Sequence, residues 1–399
     1  MLGRFYALLH LLHFVACWEE VARIPTSGCN GIDHFHGPNG KDYLVVANFW
    51  DGVSTDMAAE STVFELTTSE DTLSSLVATK RQSIATWGAH GVDVFEYGDY
   101  TFLAIPNYYG EVTVLYKFDW LRRQFVEHQR IGAQGPSQTA HVIINARLYL
   151  IVAENFANRV NIYQFQQEKS LFELHQQISC SGVAAVAIET SPVSDATTFL
   201  AIASYHNRKG WETLSLIYVF DPTSAQFVFR QSVKTQGAHD VEMVPFNKTL
   251  WLFFSEDRNE TTTLVDSQLF QLDAASGRFK LIQSIATDGA HAADFFIDGA
   301  SGQLQLAIAN FGDREKKRYA STSTLWRWNT EVQQFHLDGE LASSGATDVH
   351  HFHHLVGGKA QQLLALCAEG DIEHRRYQES PIYKIDDEGS CDERLQNVS

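Results

Sequence analysis

Seven times along this chain the same short phrase returns: an aliphatic residue, three variable positions and a glycine. It reads IPTSG (Ile24 to Gly28), IATWG (Ile84 to Gly88), IGAQG (Ile131 to Gly135), ISCSG (Ile178 to Gly182), VKTQG (Val233 to Gly237), IATDG (Ile285 to Gly289) and LASSG (Leu341 to Gly345). The glycines lie 60, 47, 47, 55, 52 and 56 residues apart. That is the period of propeller blades and too long for solenoid turns.

Each copy reads as four strands. A short strand follows the glycine, as in His239 to Phe246. A run apolar on both faces comes next, such as Tyr43 to Asn48, Phe102 to Asn107 or Leu304 to Asn310, as expected of a strand sandwiched between neighbouring sheets. A third strand, such as Ser215 to Asp221, precedes a fourth that starts at an aromatic and reaches the next aliphatic six residues later, as from Phe125 to Ile131. No amphipathic helix of useful length interrupts the pattern. Sheets packed face to face around an axis bury both faces and leave short edges, so the chain is expected to be all-β, a seven-bladed β-propeller. The last copy stops after its third strand, whereas Trp18 to Ile24 has the spacing of a fourth strand without a first three. The N-terminal strand is therefore expected to complete the last blade, with residues 18–386 forming the propeller and 387–399 a polar tail.

The composition agrees with a globular protein: 44% hydrophobic and 20% charged residues, with a formal charge of −18 that argues against nucleic acid and anionic lipid surfaces. No run approaches the roughly 20 apolar residues of a membrane span. Residues 1–17, with Arg4 ahead of the apolar run Phe5 to Cys17, have the layout of a secretory signal peptide. Cys17, Cys29, Cys180, Cys367 and Cys391 show no pair at zinc-finger spacing. Sequons at Asn247, Asn259 and Asn397 are compatible with glycosylation on a secretory route.

The openings TQGAHDVEMVPF (Thr235 to Phe246), ATWGAHGVDVF (Ala85 to Phe95), ATDGAHAADFF (Ala286 to Phe296) and SSGATDVHHF (Ser343 to Phe352), with YLVVANFWDG (Tyr43 to Gly52), resemble the epilepsy-associated (EAR, or EPTP) repeat. The resemblance covers about Trp18 to Asp386, and the family includes the leucine-rich glioma-inactivated proteins. It implies a secreted or extracellular propeller that recognises a protein partner and carries no catalysis. The chain has no leucine-rich or laminin-G region, so the partners of those relatives do not carry over. The third and fourth copies, Pro136 to Ala140 and Val183 to Ala187, lack the acidic positions of the repeat.

Three and five residues after the repeat glycines stand Asp33, Asp93, Asp240, Glu242, Asp294, Asp348 and His350. On the innermost strand these carboxylates are expected to converge on the central channel, where they repel one another unless protonated or neutralised by a hard cation, calcium being the usual choice. The alternative is that each aspartate binds backbone amides or faces channel water. His34 and His36, with His350, His351, His353 and His354, fall on blades that become neighbours when the ring closes, which allows a transition-metal site or simply packed histidines. There is no GxSxG elbow and no phosphate loop. A different class, a metal-dependent lactone or phosphoester hydrolase using channel calcium, would need an open coordination position and a base such as His350. Phe49, Trp50, Tyr108, Tyr109, His206, Trp211 and Phe311, in loops on a rigid frame, are the expected partner contacts. Cys17 and Cys391 share one register position at the two chain ends, so a disulfide between them is expected to close the ring, provided any signal is cleaved before Cys17.

Overall fold

The computed structural model describes residues 18–37, 40–68, 76–192, 196–370 and 378–385. Among these, 28 strands form seven antiparallel four-stranded sheets set around an axis, with no helix. Blade 1 runs from Cys29 to Trp87, blade 2 from Asp93 to Gly132, blade 3 from Pro136 to Ser179 and blade 4 from Val183 to Gln236. Blade 5 runs from Ala238 to Asp288, blade 6 from Ala290 to Ser344, and blade 7 from Ala346 to Ile385. The seven-bladed expectation and the N-terminal closure are both observed: Trp18–Thr26 pairs antiparallel with Gln378–Ile385 as the fourth strand of blade 7. The chain ends expected beyond it, with Cys17, Cys391 and Asn397, lie outside the described residues.

The second strand of each blade is the core. Asp42–Asn48 and Leu304–Asn310 are buried at every position, because a strand covered on both faces can expose nothing. The fourth strand is the outer edge, and in Leu171–Ser179 only Phe172 and Ile178 are buried. The recurrent aromatic and aliphatic are thus its two anchors, while polar side chains between them keep the edge soluble.

The repeat glycine is required by the blade-to-blade crossover. All seven have φ between +55° and +64°, for instance Gly182 at +55° and Gly289 at +64°, a left-handed backbone that residues with a Cβ rarely adopt. A Cβ on Gly182 would lie 1.7 Å from the carbonyl oxygen of His206. Each glycine carbonyl accepts the N–H of the residue just after the second strand of its own blade, from Phe49 to Gly28 through Glu369 to Gly345. The polar end of the second strand has its own use: the Asn48, Asn107 and Asn310 Oδ1 atoms, and Glu154 and Glu256 Oε2, accept the N–H of the residue before the glycine.

Blades are joined by a glutamine clamp. The Gln82 amide donates to the Phe125 carbonyl and accepts the Phe125 N–H, and Gln129 with Phe172, Gln176 with Phe227, Gln231 with Phe279 and Gln283 with Phe335 repeat the pair. Five blade junctions carry it. At the two junctions that flank blade 7 the corresponding positions are Gly339 and Ala22. The seam between blades 7 and 1 is held otherwise, by a disulfide between Cys29 and Cys367 with Cα atoms 5.4 Å apart. The Thr347 hydroxyl also donates to the Cys29 carbonyl at 2.7 Å there. The covalent ring closure was expected at Cys17 and Cys391; the described residues close it through a pair that spacing alone did not single out.

Candidate functional site: the channel and its mouth

In six blades the first strand carries a register shift beside the residue two after the glycine, as between Ala238 and Asp240. A bulge leaves that residue out of the ladder and re-aims its side chain. The side chains so aimed include His239 and His291, and His90 holds the same position in blade 2; with Asn30, Ser137 and Ala184 they line one mouth of the channel. Outside them runs a ring of the residues that follow each second strand: Phe49, Tyr108, Asn155, Tyr205, Asp257, Phe311 and Glu369. All seven are set by the glycine carbonyl bonds described above, and together the two rings bound a cavity of about 260 Å³.

This mouth has two unlike halves. On the side of blades 1 to 3, Tyr108 meets Tyr109 at 5.1 Å and Phe156 at 4.6 Å between ring centroids, and Tyr109 and Phe156 are half exposed. On the opposite side the Arg314 guanidinium lies over the Phe311 ring at 4.6 Å and donates to Glu369 at 2.7 Å. The Tyr205 hydroxyl donates to Asp257 at 2.8 Å, and burial lifts Asp257 to a pKa of about 6. His239 and His291 stack at 3.9 Å, and His291 stacks on Phe311 at 4.4 Å. Burial lowers His90 to about 4 and His239 to about 3, so these imidazoles are neutral near pH 7.

Of the expected contacts, Phe49, Tyr108, Tyr109, His206 and Phe311 line the mouth, although Phe311 is fully buried in its wall. Trp211 packs behind it against Tyr205 and under Arg258. The Trp50 indole N–H donates to Ser54 within its own loop, and Trp50 does not line the mouth. Phe156, Tyr205, Asp257 and Arg314 were missed. All but Arg314 sit one or two residues past a second strand, and that register was the available signal.

Below the mouth the channel narrows, and Asp240, Glu242 and Asp348 line it. The first-strand carboxylates follow one rule. Those three after the glycine accept the N–H four after the glycine of the next blade, Asp240 from Ala293 and Asp348 from Ile32, and Gln138 takes the same place toward Val186. Of those five after the glycine, Asp33 accepts the N–H of Val94 and Asp294 that of His351, each six after the glycine of the next blade. Asp93 instead meets the His141 ring at 2.8 Å. Burial raises Asp33 and Asp294 to about 7 and Asp240 to about 6. Glu242 and Asp348 are raised well above the ordinary carboxylate range, through burial and through repulsion from their acidic neighbours. The carboxylates thus do face one another, but they are met by backbone donors and by protons. Calcium takes six to eight oxygens. Among the described residues no three of these carboxylates bring their oxygens within 4.8 Å of one another, so their side chains alone do not make a calcium cage. One group of donors does gather that closely: Asp33, His34 and His350.

The ring of blades is a seven-bladed β-propeller, and part of the chain is similar to EAR repeat-containing proteins. The thrombospondin-type laminin G domain and EAR repeat-containing protein of Mus musculus is 28% identical over 186 residues, 45% of this chain and 27% of that protein. The Homo sapiens protein of the same name is 27% identical over 158 residues, 38% of this chain and 23% of its own length. Each match spans about a quarter of the relative's length. No family model matches the chain. Among solved structures, two proteins provisionally named 6-phosphogluconolactonases share the fold. The one from Bacteroides uniformis has a TM-score of 0.56 at 10% identity, over 80% of this chain and 86% of its own. The one from Bacteroides fragilis has a TM-score of 0.54 at 12% identity, over 80% and 85%. At that identity the likeness is one of fold.

Proposed function

We propose that this chain is a non-catalytic, extracellular interaction module that meets a protein partner at the ringed mouth of its channel. The observation that carries the reading is the asymmetry of that mouth. One half offers exposed rings of low conformational entropy, Tyr109 in the lining and Phe156 packed against Tyr108 beside it, and the other offers Arg258 and Arg314 beside Asp257 and Glu369, all on a frame fixed by seven backbone hydrogen bonds. Aromatic and arginine anchors in a concave site supply most of the energy of protein interfaces. The EAR-repeat relatives support the class. The Cys29–Cys367 disulfide fits an oxidising compartment, as do the signal-like residues 1–17 and the sequons. Proximity labelling on intact cells with the purified chain tests this. Surface proteins are expected, and their labelling is expected to fall at least tenfold for the Tyr109→Ala/Phe156→Ala double variant; recovery of cytosolic proteins only, or labelling unchanged in that variant, overturns it.

The competing reading is a hydrolase using a channel calcium, and its support is likeness of fold. A screen of lactones and phosphoesters with and without calcium separates the two. Calcium-dependent turnover abolished by Asp348→Asn would replace the interaction module with an enzyme.

A further inference from the structure

The seam between blades 7 and 1 gathers donors of a different kind from the rest of the channel. Asp33 and His34 lie on the first strand of blade 1 and His350 on the first strand of blade 7. His34 Nδ1 is 2.9 Å from His350 Nε2, and His350 Nε2 is 3.5 Å from Asp33 Oδ1. In a tetrahedral zinc site with bonds of about 2.0 to 2.2 Å, neighbouring ligand atoms stand about 3.3 to 3.5 Å apart. The two observed edges lie close to that figure without any backbone change.

We propose that His34 Nδ1, His350 Nε2 and Asp33 Oδ1 bind one zinc ion, leaving a fourth position to channel water, and that the ion clips the last blade to the first. Two of the three donors are imidazole nitrogens, which suit zinc and not calcium. The supporting contacts are those of a held ligand set. Asp33 Oδ1 accepts the His34 N–H and Oδ2 the Val94 N–H, each at 2.7 Å, which fixes the carboxylate. His350 Nδ1 faces Asp294 Oδ2 at 3.9 Å, and a proton kept on that nitrogen leaves Nε2 as the free lone pair. His34 then carries its proton on Nε2 when the metal is bound, so binding requires a tautomer shift and releases no proton from either ring. His350 and Asp33 side chains retain 23% and 19% exposure, which gives an ion access. The clip falls at the junction that the Cys29–Cys367 bridge also spans, where no glutamine clamp is present. The inference is independent of what the mouth binds.

The test uses the full, tag-free chain, stripped with a chelator and titrated with zinc chloride by calorimetry, with thermal unfolding in parallel. One zinc per chain is expected, with a midpoint that rises with zinc concentration because the ion binds only the closed ring. Affinity is expected to fall at least tenfold in His34→Ala and in His350→Ala, and to stay within twofold in His353→Ala, which alters an exposed histidine of the same strand. Equal affinity in the His34 and His350 variants overturns the site, as does a midpoint raised by calcium and not by zinc. Should those variants fail to fold, cobalt(II) added to the wild-type chain decides: intense visible bands of a tetrahedral ion support the site, and the weak spectrum of a six-coordinate ion overturns it.

Discussion

Breaking the Cys29–Cys367 bridge is the perturbation whose size follows most directly from the architecture. The two cysteines are 338 residues apart in sequence, so the bridge ties nearly the whole propeller into one loop. For a loop of that length the chain-entropy relation gives about 20 cal/mol/K, or about 6 kcal/mol at 25 °C, and measured effects of native disulfides fall at about 2 to 5 kcal/mol. Both sulfurs are fully buried, so Cys29→Ala or Cys367→Ala adds about 1 kcal/mol of lost packing at its own site. Urea unfolding without reductant is expected to show each single variant less stable by roughly 3 to 6 kcal/mol, a shift of about 1 to 2 M in midpoint for a chain of this size. The diagnostic is non-additivity. Either substitution removes the whole cross-link, so the double variant is expected to fall within about 1 kcal/mol of the singles. Midpoints equal to the parent's would mean that strand pairing of Trp18–Thr26 closes the ring alone. Fully additive losses would mean that the cysteines act by packing. Either result refutes the argument.

Removing one inter-blade clamp, Gln231→Ala, strands the N–H and carbonyl of Phe279, and calorimetry is expected to show a loss of roughly 2 kcal/mol; no loss would mean that water replaces the amide. Glu256 is fully buried and raised to about 8, so the folded state holds its proton more tightly than the unfolded chain; stability is then lost as pH rises from about 4.5 through 8. Below pH 6.5 the lowered His90 and His239 oppose this trend, so the fall is expected between pH 6.5 and 8, by up to ~1.4 kcal/mol per unit from this one group, and Glu256→Gln is expected to flatten it. Asn247 is exposed in a two-residue turn at φ +48°, whereas the Asn259 side chain is engaged by Thr261 and Thr262; secreted chain is expected to carry its glycan at Asn247, seen as a gel shift on glycosidase treatment that Asn247→Gln removes.

Much of the site was readable once the repeat was aligned. The channel carboxylates Asp33, Asp240, Glu242, Asp294 and Asp348 were legible because strand one must be innermost and its polar side must face the axis. Their partners were not, since Asp33, Asp240, Asp294 and Asp348 each accept an N–H from the next blade, a contact 53 to 61 residues away in sequence, or 316 where the ring closes, that depends on how blades stack. The mouth was half legible. Choosing large loop aromatics found Tyr108 and Tyr109 but also Trp50, which turns into its own loop, and passed over Asp257 and Glu369, because residue type was weighed where register decides.

The sequence by itself determined the number of blades, the strand order and the completion of the last blade by Trp18–Thr26, because these follow from local patterning repeated at a fixed period: a glycine with positive φ, a second strand apolar on both faces, and a fourth with two anchors. Tertiary structure alone decided which distant residues meet. Cys29 finds Cys367, and His34 finds His350, only when a closed ring sets the first strand of blade 1 beside blade 7. No local preference encodes that contact, since it is fixed by the angle between blades and by their count.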